Sequence, residues 1–109
     1  MINSRQKGAA GERELAEFLR ERGHDGARRG QQFHGGADSP DVVVPSLPGV
    51  HLECKRVEAG NLYNWLEQAI ADAGWEKIPV VAHRKNRKEW VAILRLEDFL
   101  NLVGKANVS

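Results

Sequence analysis

The chain has 109 residues, 41% of them hydrophobic and 28% charged, with a formal net charge of +1. This length bounds it to one domain, 1–109, and the near-neutral balance excludes a protein that coats nucleic acid through bulk charge. A single cysteine excludes an internal disulfide, and no apolar run is long enough to cross a bilayer or to act as a secretory leader, so the cytoplasm is the expected location.

Residues Ser4 to Arg22 read as a helix, with Ser4 as N-cap and Gly23 as its stop. At about 100° per residue, Gly8, Gly11, Leu15, Phe18 and Leu19 form one stripe. Glu12 lies beside that stripe, whereas Glu14, Glu17 and Glu21 fall further round, toward solvent. Glu12 is thus the one acid of this helix that faces the body of the protein. A boundary glutamate that snorkels is the alternative reading.

An edge strand is expected near Gly26–Arg29, followed by a loop that ends in Gly35-Gly36. Bases cluster at Arg28-Arg29 and again from Arg84 to Lys88. Two such loops on a neutral body can grip phosphates at defined points, with strong salt dependence; each alone also fits a solvated turn.

Asp41–Val44 and Val50–Val57 read as two strands joined by a turn containing Pro45, Pro48 and Gly49. Successive strand side chains point to opposite faces, so Leu52 and Cys54 share a buried face while Glu53 and Lys55 share the other. Pairing the strands brings Asp41 beside Glu53. Two carboxylates and an ammonium converging there can hold a divalent metal and a water; the alternative is a surface ion pair on a solvated strand.

Asn61 caps a second helix running to about Ala73, with Leu62, Trp65, Leu66, Ala69 and Ala73 on one face and Gly74 as its end. Gln68 lies at the flank of that face. Ile78–His83 and Trp90–Leu96 form a hairpin across the basic turn. Leu96, Phe99, Leu100 and Val103 then make a short helix expected to cover the sheet, with Lys105–Ser109 frayed. Of Trp65, Trp75 and Trp90, at least two are expected to pack in the core.

Pro40-Asp41, then Glu53-Cys54-Lys55 behind an apolar strand, resembles the signature of the PD-(D/E)XK nuclease superfamily. Gly8-Ala9-Ala10-Gly11-Glu12-Arg13 is similar to the first-helix segment of its small Holliday junction resolvases, including phage versions, and the likeness spans nearly the whole chain. The resemblance implies an α/β restriction-endonuclease-like fold with an αβββαβ core, a mixed central sheet flanked by helices. It implies Asp41, Glu53, the backbone carbonyl of Cys54 and Glu12 as oxygen ligands of Mg²⁺ or Mn²⁺, donors too hard to favour zinc. Lys55 would orient or deprotonate the attacking water, or neutralise charge on the phosphate.

The implied partner is branched double-stranded DNA, with cleavage leaving a 5′-phosphate. Arg28, Arg29, Gln31, Gln32 and His34 precede Asp41 and are placed to touch DNA, as are Arg56 and Gln68. Arg84, Lys85, Arg87 and Lys88 supply the second basic loop. His34 is either a general acid or polar surface, and Gln68 either a site residue or helix surface. Resolving a four-way junction takes two symmetric nicks, and one chain carries one constellation, so a homodimer is expected. A nuclease of flaps, nicks or duplex ends, and a non-catalytic DNA-binding module of the same fold, are the competing readings.

Overall fold

The computed structural model describes residues 4–30 and 40–107. Its first element is α1 (Ser4–Glu21), and Gly23 ends it with a positive φ of 97°. The Gly23 N–H donates to the Arg20 carbonyl and the His24 N–H to the Leu19 carbonyl, a Schellman pair that closes off the last turn. Ser4 lies inside the helix rather than ahead of it.

Four short strands and two helices complete the order after β1 (Arg28–Arg29): β2 (Val42–Val43), β3 (Val50–Lys55), α2 (Leu62–Ala73), β4 (Ile78–His83), β5 (Val91–Ile93) and α3 (Leu96–Asn107). One mixed sheet runs β1-β2-β3-β4-β5. Antiparallel pairs link β1 to β2, β2 to β3 and β4 to β5, while β3 and β4 are parallel. A parallel pair needs a crossover, and α2 supplies it. The Asn61 side chain caps α2 by accepting from the Asn64 N–H at 3.0 Å. The architecture is the expected α/β one, compatible with a restriction-endonuclease-like fold.

Alternation along the strands divides the interior into two layers. Leu15 and Ala16 of α1 pack with Ala27, Val42, Val44, Leu52 and Ala82, joined at the rim by Phe18, Leu19, Cys54 and Trp90. Each large aliphatic side chain buried there contributes about 1.5–3 kcal/mol. The opposite sheet face carries His51, Glu53, Pro79 and Val81 beneath α2, whose Ala69 is fully buried. Trp65 of α2 stacks at a tilt on His83, with centroids 4.8 Å apart, and Trp90 meets Phe18. Two tryptophans pack as expected; Trp75 is 91% exposed.

The last helix departs from expectation. Leu96, Phe99, Leu100, Leu102 and Val103 are all exposed, so α3 does not cover the sheet. The central strands are already covered by α1 on β1 to β3 and by α2 on β3 and β4, and α3 follows β5, the exposed edge strand. The helix also continues to Asn107 instead of fraying at Lys105.

Two glycines are required by close approach. A Cβ on Gly30 would collide with the Pro40 carbonyl oxygen, where the Gly30 N–H donates to the Asp41 carbonyl at 2.9 Å. A Cβ on Gly11 would lie 2.6 Å from Arg56 Cβ. Gly8, by contrast, is exposed with no atom within 4 Å of its Cβ position, so it does not belong to the packed stripe. Gly8→Ala should therefore stabilise the protein by up to about 1 kcal/mol through helix propensity. Gly11→Ala gains the same propensity but is overpacked, which costs about 1–3 kcal/mol. Thermal unfolding should move Tm up for the first and down for the second.

Candidate functional site

The antiparallel register sets Val42 opposite Leu52. One further step sets Asp41 opposite Glu53, on the sheet face that α2 covers. The two carboxyl groups meet there closely enough for Asp41 to act directly on Glu53. Asp41 Oδ2 also accepts from the Cys54 backbone N–H at 2.9 Å. Glu53 is 9% exposed, and its pKa is raised from 4.5 to about 7. Burial is the main cause, the His51 hydrogen bond opposes it, and the Asp41 hydrogen bond and charge add to it.

Glu12 approaches from α1 and is buried, as its place beside the apolar stripe implied. Burial raises its pKa, the hydrogen bond from Arg29 lowers it, and the Asp41 charge raises it again. Arg29 Nε donates to Glu12 Oε1 at 2.9 Å. Glu12, Asp41 and Glu53 thus form a chain of acids in which each feels its neighbour. Lys55 shares the Glu53 face by alternation and is half-buried; its ammonium forms no ion pair among the described residues.

The family model described as "Phage putative PDDEXK endonuclease" matches residues 3–109. The chain belongs to that family. No curated protein and no solved structure matches it. Nucleases of the PD-(D/E)XK superfamily generally use divalent metals, and their substrate is DNA.

The residues present fit such an ion only in a particular way. Among the described residues, no group of three His, Cys, Asp or Glu side chains is arranged to hold a metal. Two carboxylates are enough for Mg²⁺, which keeps several waters and takes further oxygens from a substrate phosphate. A cation between Asp41 and Glu53 would relieve the repulsion that the Asp41 charge exerts on Glu53. In an extended strand, N–H and C=O of one residue point to the same edge. The Cys54 carbonyl therefore faces the edge where its N–H meets Asp41. The Cys54 thiol packs against the apolar cluster on the other strand face, and burial, then neighbouring acids, push its pKa up to about 12.

The basic residues separate into two groups. Arg56 is engaged by Glu14 at 2.8 Å and by Asn86 at 3.0 Å, and Arg84 reaches the same Glu14 at 3.1 Å. Glu14, expected on the solvent side, is half-buried as the carboxylate that both guanidiniums share. Arg29 is committed to Glu12. Arg28, Lys85, Arg87 and Lys88 are exposed, as is Gln68 on α2. Gln31, Gln32 and His34 lie outside the described residues.

Sequence reasoning missed His51. It is 1% exposed, and its Nε2 lies 2.8 Å from Glu53 Oε1. Its signal was present: residues 51, 53 and 55 share one face of a strand.

The raised pKa of Glu53 gives a signed pH dependence. The folded protein holds this proton more tightly than the unfolded chain, so its contribution to stability is fully present below about pH 4.5. It is lost as pH rises from there through about 7. Denaturant unfolding of the metal-free protein should show wild type losing stability relative to Glu53→Gln across this window, by on the order of 3 kcal/mol at most.

Proposed function

We propose that this protein is a Mg²⁺- or Mn²⁺-dependent DNA endonuclease that resolves four-way junctions as a homodimer in the cytoplasm of a phage-infected cell. The observation that carries the nuclease reading is the meeting of the Asp41 and Glu53 carboxyls across β2 and β3, in a chain of this family.

Asp41, Glu53 and the Cys54 carbonyl would hold the ion, with Glu12 behind Asp41 as a further acid. When bound, such an ion polarises a phosphate and lowers the pKa of a water. Lys55, on the Glu53 face and without a competing carboxylate among the described residues, orients that water or neutralises charge on the phosphate. Arg28, Lys85, Arg87 and Lys88 are exposed and carry the phosphate contacts. Arg56 and Arg84 contribute less, because Glu14 already faces both guanidiniums. Gln31, Gln32, His34 and Gln68 remain candidates for contacts near the branch, and Arg29 reaches DNA only by releasing Glu12.

The dimer reading rests on surplus apolar surface. Leu96, Phe99, Leu100, Leu102 and Val103 line α3, and Trp75 stands exposed at the end of α2. A helix of 12 residues is marginal in water without a packed face, so a partner copy is the natural cover for it. Light scattering should report about twice the chain mass of 12.2 kDa. A strict monomer, also on junction DNA, would transfer the assignment to flaps, nicks or duplex ends.

A panel of branched and linear DNAs with and without Mg²⁺ tests the reading as a whole. Metal-dependent cleavage excludes a purely DNA-binding module, and absence of cleavage on every substrate overturns the nuclease. Asp41→Asn and Glu53→Gln should each lower cleavage at least about a hundredfold while DNA binding persists. Lys55→Ala should lose turnover but keep its metal affinity by calorimetry, since an ammonium is no ligand.

A further inference from the structure

We propose that His51 is a positioning residue for the metal-binding carboxylate of Glu53, a role that rests on the nuclease reading above. His51 is the second residue of β3, buried at 1% exposure, on the same strand face as Glu53 and Lys55. Its Nε2 stands 2.8 Å from Glu53 Oε1. A glutamate has three rotatable side-chain bonds, and a buried one that must meet a cation gains from being held in a single rotamer. The pair does this by geometry. Residues two apart on a strand project side by side, and the imidazole is rigid once its ring is enclosed.

The enclosure is visible around it. Pro79 and Val81 of the parallel neighbour β4 are fully buried on the same face. Further out, His51 forms the floor of a cavity of about 340 Å³ at the C-terminal turn of α2, walled by Asp72, Trp75 and Lys77 among others. The histidine thus ties one Glu53 oxygen to the scaffold under α2, while Asp41 meets the carboxyl group from β2. Anchoring one oxygen presents the other to whatever lies between the two acids. Hydrogen bonds of this kind to a ligating carboxylate fix its orientation, and their loss costs roughly 10- to 100-fold in metal affinity or activity.

The test uses the full chain with His51→Gln, His51→Leu and the double variant His51→Leu/Glu53→Gln. Gln keeps an N–H donor in the pocket and Leu keeps only bulk. Mn²⁺ affinity is measured by calorimetry without DNA, and the Mg²⁺ dependence of cleavage separately, on variants shown folded by circular dichroism. His51→Leu should weaken Mn²⁺ binding about tenfold or more and shift the Mg²⁺ requirement upward, with His51→Gln intermediate. Added to Glu53→Gln, the Leu substitution should cost nothing further, because the histidine acts through that carboxylate. Equal penalties in both backgrounds, or unaltered metal affinity in a folded His51→Leu protein, would overturn the positioning role while wild-type cleavage still stood. If wild type cleaves no DNA yet binds Mn²⁺ with this His51 dependence, the nuclease reading falls and the positioning role survives. Should Leu fail to fold, the Gln variant carries the comparison: Mn²⁺ binding weakened in the wild-type background but no further in Glu53→Gln supports the positioning role, and affinity equal to that of wild type, or an equal loss in both backgrounds, overturns it.

Discussion

Two carboxyl groups forced together under a helix are the constraint around which this protein is arranged. Like charges in a poorly solvated place cannot both ionise cheaply, and burial first, with the Asp41 carboxyl adding to it, lifts Glu53 to about 7. The sheet imposes the contact, because Asp41 and Glu53 are fixed by backbone register and not by flexible side-chain choice. The layer around them offers little relief. Val81 and Ala69 are fully buried apolar neighbours on that face. What relief exists comes from named donors: His51 to Glu53, the Cys54 N–H to Asp41, and Arg29 to Glu12.

The opposite layer is held by different means. Behind the apolar cluster under α1, Glu14 joins Arg56 at the end of β3 and Arg84 at the end of β4. Glu58 extends the same set, accepting from the Asn86 N–H and lying 3.7 Å from Arg56. These groups are partly solvated, so each pair contributes modestly, on the order of 0–1 kcal/mol. Their joint effect is geometric. They fasten the basic turn to the first helix, so charges that look free in the linear sequence are spent on structure.

That difference explains what could and could not be read in advance. Strand periodicity and turn residues located β3, β4 and α2 closely, and the strand pairing of Asp41 with Glu53 followed from alternation. The inward face of the first helix singled out Glu12 for the same reason: period and amphipathicity are local properties. Gln68 too lies where its helical period placed it, exposed at the flank of α2. His51 escaped because a histidine on a strand reads as polar surface until both faces of the sheet are known to be covered. The engagement of Arg56 and Arg84 escaped because their partner lies some 42 and 70 positions away in the chain. The apolar residues of the last helix were read correctly as a stripe, but the stripe does not say which surface meets it. With α1 on β1 to β3 and α2 on β3 and β4, the centre of the sheet is covered without it.

The pinch between Gly30 and Pro40 makes a single hydrogen atom a condition for the position of Asp41. The Gly30 N–H is tied to the Asp41 carbonyl, and only hydrogen fits where a Cβ on Gly30 would meet Pro40. Any side chain at position 30 would push the Pro40 backbone away, and Asp41, the next residue, would leave its place opposite Glu53. The entry to β2 is thus held from β1, and the seat of the first acid depends on a neighbour that carries no side chain at all.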